Sequence, residues 1–107
     1  MTDCFSVSCT TETREEAEKI AERLVAERLV ACVHITGPIT SIYRWDDQVE
    51  RAEEWLLLIK TTSGAYLQVE RAIFEMHSYN TPEIAATEIV AGSEKYLNWL
   101  RESVAEA

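Results

Sequence analysis

Alternation opens the chain. In DCFSVSCT, Phe5, Val7 and Cys9 fall to one side and Cys4, Ser6 and Ser8 to the other, which predicts a strand. The spacing then changes. Ala17, Ile20, Ala21, Leu24 and Val25 recur at steps of three and one and Leu29 follows four on, so TREEAEKIAERLVAERLV reads as one amphipathic helix. Thr13 and Glu16 suit a capping box at its start, and Glu15 and Glu16 complement the positive end of its dipole.

A second strand begins at ACVHI, is bent or bulged by Gly37-Pro38, and continues through ITSIYRW. Asp46-Asp47 is turn chemistry, and QVERAEEWLLLIK returns as a third strand. Its Val49 to Trp55 half alternates, whereas Leu56 to Ile59 has lost alternation, the mark of burial on both faces. SGAYLQVERAIFEM is a second helix, with Ser63 as its cap and Tyr66, Val69, Ile73 and Met76 as its stripe. After the corner HSYNTPE come a strand, EIAATEIV, and a short helix, EKYLNWLRESV, carrying Leu97, Leu100 and Val104 on one side.

The order β-α-β-β-α-β-α over residues 1–107 describes a single α+β domain of ferredoxin-like, split βαβ type, with two helices on one face of an antiparallel sheet. Strands two and three, about 15 residues each, would span roughly 50 Å at ~3.3 Å per residue. That exceeds the width of a domain this size, so the hairpin bends or projects. Trp45 and Trp55 are expected on either side of its tip, and a projecting apolar hairpin invites pairing with other subunits.

Composition narrows the function classes. The chain is 47% hydrophobic and 27% charged, which is globular. Its net charge of −9 repels phosphate backbones and anionic lipid, so neither nucleic acid nor a membrane is an expected partner. Three cysteines without a C-x-x-C fit a reducing compartment. With no signal-peptide pattern and no ~18-residue apolar run, the expected location is the cytoplasm.

The candidate chemistry gathers at residues 75–84. His77 titrates near neutrality and can ligate metal or move a proton, Glu83 is an anionic acceptor, and Tyr79 offers a flat ring with a polar tip. Pro82 holds Thr81 extended at the entry to the last strand. The same residues equally read as a turn in which Glu83 caps, Tyr79 packs and His77 ends a helix. Cys4, Cys9, Cys32, His34, Met76 and His77 are soft-ligand types without tight spacing, and the cysteines equally suit a core. Lys60, at a strand end, either snorkels to water or binds an anion. Nucleophile elbow, phosphate loop and carboxylate dyad motifs are absent.

Several motifs in one order resemble the divalent-cation tolerance family, CutA. ERLVACVHITGPITSIYRWDDQVERAEEWLLLIKTT is similar to that family's central run and its IKT, His77–Glu83 to its H-P-Y-x-x-P-E corner, and YLNWL to its Y-L-x-W signature. Ser78 stands where the family usually has proline, which implies a less rigid corner; His34 stands where asparagine is common.

The resemblance implies a ferredoxin-like homotrimer similar to the nitrogen-regulatory signalling trimers. The implied function is cytosolic metal response, with copper or another divalent cation, or a small molecule, bound at inter-subunit clefts and no cofactor required. It implies Cys9 and His77 as metal ligands, Lys60 as a cleft residue, and Met76 where some relatives carry another histidine. Tyr43, Trp45, Lys60, His77, Tyr79 and Glu83 form the expected ligand set, with no catalytic residue. The alternative is an inter-subunit enzyme site using His77 and Lys60 on a small anionic substrate.

Overall fold

A computed structural model describes residues 2–105. The seven elements are β1 (Cys4–Thr11), α1 (Arg14–Ala26), β2 (Cys32–Trp45), β3 (Gln48–Thr62), α2 (Tyr66–Met76), β4 (Ala85–Glu88) and α3 (Glu94–Ser103). The strands form one antiparallel sheet in the order β2-β3-β1-β4.

Inward positions of the central strands meet the helices. Val7 and Cys9 of β1 and Leu57 and Ile59 of β3 pack with Ala17, Ile20 and Leu24 of α1 and Val69, Ala72 and Ile73 of α2. A second cluster joins Cys4 and Ala65 to Leu97, Leu100 and Val104 of α3 and its C-cap. Leu56 and Leu58 project the other way and are half-buried, so the burial expected on both faces is present on one.

Several boundaries moved. Helix α1 stops at Ala26 rather than running to Val30. Arg28 adopts φ 58°, and the N–H groups of Arg28 and Leu29 donate to the carbonyls of Val25 and Leu24, closing a Schellman turn without glycine. Val25, expected in the stripe, is 44% exposed. Ser63 does not cap α2; the N-cap is Ala65, whose N–H reaches Thr62 Oγ1 at 3.3 Å.

The hairpin projects, giving a long dimension of 44 Å against 25 and 21 Å. Asp46 and Asp47 both have positive φ, as a two-residue type I′ turn requires. Trp45 lies beside that turn, but Trp55 pairs with Thr11, well back along the arm. Its ring covers Gly37 at the bulge between Thr36 and Ile39 and stacks with the Arg14 guanidinium at 5.6 Å.

Candidate functional site

Helix α2 ends where His77 turns extended, its N–H closing on the Ile73 carbonyl at 2.8 Å. The imidazole folds back onto β1. Nδ1 accepts from the Tyr79 N–H at 3.1 Å, so the hydrogen sits on Nε2, which donates to the Thr10 carbonyl at 2.7 Å. Ser78 donates its N–H (2.7 Å) and its hydroxyl (3.1 Å) to the Glu16 carboxylate. Thr13 Oγ1 does accept from the Glu16 N–H, but the Glu16 side chain does not complete the capping box; it clamps the corner. Two hydrogen bonds thus restrain the position where proline is usual in the family.

Tyr79 then reaches β3. Its hydroxyl donates to Glu54 Oε2 at 2.8 Å. Burial first, and then the Glu54 carboxylate, push the phenol up from its ordinary value. Around this pair opens a cavity of 690 Å³. Thr10 supplies its floor, Ser41, Ile42, Tyr43 and Trp45 one wall, Glu54 the third strand's contribution, and residues 79–83 the other wall. It carries two carboxylates, Glu54 and Glu83, and among the described residues no lysine or arginine lines it.

Of the expected ligand set, Tyr43, Trp45, Tyr79 and Glu83 therefore meet. His77 lies behind the wall and orients Tyr79 through the backbone. Lys60 is not there. It pairs with Ser6 and Cys32, six residues along β3 from Glu54, roughly 20 Å at ~3.3 Å per residue. His77 and Lys60 do not converge within one subunit; the enzyme alternative, which joins them between subunits, would need Lys60 from a neighbouring copy.

The soft-metal pair fares differently. Cys9 and His77 do converge, both addressing the Thr10 carbonyl, with Cys9 Sγ at 3.8 Å. Neither is open to a metal. The His77 side chain is fully buried with both ring nitrogens engaged. Cys9 is fully buried, and burial, followed by Glu83, Glu16 and Glu54, pushes its thiol up to about 12, far from the thiolate that ligates. Among the described residues no group of three or more His, Cys, Asp or Glu side chains is placed to hold a metal ion. A resident copper centre does not fit these side chains.

Sequence reasoning missed Glu54 and Glu16. Glu54 sits in VERAEEW, which reads as a half-exposed arm, yet it is only 8% exposed. The available signal was its place directly before the apolar run Trp55–Ile59. Glu16 was absorbed by the capping box.

The comparisons with known proteins fall into one group. The model of the CutA1 divalent ion tolerance protein family matches residues 5–103. The chain belongs to the CutA1 family. It is 45% identical over 97 residues to the divalent-cation tolerance protein CutA of Thermus thermophilus, covering 91% of this chain and 94% of that one. The solved T. thermophilus CutA1 structure superposes with a TM-score of 0.93 at 43% identity, over 95% of this chain and 99% of that one. A structure described as the periplasmic CutA of Archaeoglobus fulgidus gives 0.92 at 38%, over 95% and 99%. The family and its T. thermophilus member are named for divalent-cation tolerance and not for an enzymatic reaction.

Proposed function

We propose that this protein is a homotrimeric, non-catalytic binding protein of divalent-cation response, whose ligand site is the cavity between the hairpin and the 77–83 corner. The observation that carries this reading is the meeting of Glu54 and Glu83 with Tyr43, Trp45 and Tyr79 around one cavity free of lysine and arginine. Such a site attracts positive charge. Divalent cations, copper among them, enter as weak, exchangeable ligands of the two carboxylates rather than as a buried centre. The half-buried Leu56 and Leu58 and the exposed Ile42, Trp45 and Val49 supply the surface that neighbouring copies cover, closing the open side of the cavity. Three free cysteines support a reducing, cytoplasmic setting.

Paramagnetic manganese(II) tests the site by amide line broadening. The expected result is saturable broadening centred on residues 41–45, 54 and 79–83, lost in Glu54→Gln. Broadening confined to the Asp46-Asp47 tip and the helix carboxylates, equal in both proteins, would contradict it.

A further inference from the structure

We propose that the cavity takes an organic ammonium ion, held by Glu54 and Glu83 and faced by the rings of Tyr43 and Trp45; this rests on the cavity being the ligand site. Its 690 Å³ suits a small organic molecule rather than a bare ion.

Glu54 supplies the first argument. It is 92% removed from solvent by its 8% exposure, and its only partner among the described residues is the Tyr79 hydroxyl on Oε2. Oε1 accepts no hydrogen bond among those residues, and the side chain lines the cavity. No buried side-chain oxygen among the described residues lacks a partner, so Oε1 is the accessible oxygen of this carboxylate, open to a donor that enters the cavity. An ammonium group meets it with both charge and N–H donors.

The walls supply the second. Trp45 is 55% exposed and Tyr43 is also exposed, on a wall that otherwise brings only Ser41 and Ile42. Aromatic faces attract a cation through the ring quadrupole, an interaction that strengthens as water is excluded.

Sign and geometry rank the competitors. The carboxylates Glu83, Glu16 and Glu54 all act on the buried Cys9 thiol beneath the floor, after burial itself, so the field at this end of β1 is negative. An anion would be repelled. A tightly held divalent ion asks for three or more protein ligands in one place, and the described residues offer no such group of His, Cys, Asp or Glu, so divalent ions are the weaker, exchangeable competitors here.

Three probes of one shape and different charge decide the matter: benzylammonium, benzyl alcohol and benzoate, titrated into the intact assembled protein and followed by amide shifts. Benzylammonium is expected to saturate with shifts at residues 41–45, 54 and 79–83, about tenfold tighter than benzyl alcohol. Benzoate is expected to leave those amides unmoved, and Glu54→Gln to bring benzylammonium down to the level of the alcohol with the sedimenting mass unchanged. Equal binding of amine and alcohol would overturn the proposal, as would tighter binding of benzoate; in both cases the cavity would remain a ligand site. No saturable shift with any probe, together with no manganese effect there, would remove the site itself.

Discussion

The Tyr79 hydroxyl donates to Glu54 Oε2 at 2.8 Å, tying the corner after α2 to a strand residue 25 positions earlier. The bond joins two residues that both line the cavity. It leaves Oε1 of the Glu54 carboxylate without a donor among the described residues, and the Tyr79 ring lies against His77, whose centroid is 4.8 Å away. Chemistry and architecture therefore share a residue pair.

Removing the hydroxyl exposes that dependence. Tyr79→Phe keeps the ring and strips Glu54 of its only donor among the described residues. A loss of about 1–3 kcal/mol is expected from the unfolding midpoint in urea, the usual cost of a buried polar group left unpaired. An unchanged midpoint would show that water satisfies Glu54 equally well.

The bulge makes a second point of sensitivity. A Cβ at Gly37 would stand 2.6 Å from Trp55 Cδ2, inside the indole that Arg14 covers. Gly37→Ala should cost about 1–3 kcal/mol by overpacking. A smaller ring, as in the double variant Gly37→Ala/Trp55→Phe, should recover part of the Gly37→Ala effect. Full tolerance of the single substitution, read by thermal unfolding, would mean that the arm moves freely at the bulge.

Copper(I) binding should not depend on the two soft side chains the family resemblance singles out. Both His77 nitrogens are engaged, and the Cys9 thiol is held up at about 12. Titration of the reduced protein should give the same affinity for wild type, Cys9→Ser and His77→Ala. A large drop in either variant would mean that the corner opens to ligate.

Alkaline pH should weaken the fold through Cys9. Its thiol is raised from 9.0 to about 12, chiefly by burial, so the folded state favours the protonated form. The stabilisation is therefore fully present below about pH 9 and is lost as pH rises toward 12, at about 1.4 kcal/mol per pKa unit. Tyr79, raised in the same direction, adds to the loss above pH 10. Urea midpoints measured across this range should fall less steeply in Cys9→Ala than in wild type. Parallel curves would assign the alkaline limb to the other groups that burial raises, Cys4 and the tyrosines.

The element order was legible because periodicity is a direct imprint of burial: three of the α1 stripe's inner positions, Ile20, Ala21 and Leu24, are buried where the steps of three and four put them. The helix end was not legible, because Arg28 takes a left-handed conformation that its residue type does not advertise. Tertiary contacts hold it there: its guanidinium donates to the carbonyls of Glu102 and Ser103, and its own carbonyl accepts from Ala105. At the site, Tyr79 and Glu83 were visible as clustered polar types in a turn. Glu54 was not, since its burial comes from a loop 25 residues away, and only the sheet register shows that Lys60 lies at the other end of β3 from Glu54 within one chain. The lost alternation at Leu56–Ile59 signalled two covered faces, and one chain covers only the face with Leu57 and Ile59.

In the proposed homotrimer, other copies of the chain cover the half-buried face of Leu56 and Leu58 and the exposed hairpin beside it. Sedimentation equilibrium at micromolar concentration measures this directly. A single species of three times 12.2 kDa is the expected result, with Leu58→Asp shifting the mass toward the monomer. A wild-type particle that stays at 12.2 kDa would contradict the homotrimer and leave the cavity open on the side that neighbouring subunits are proposed to close.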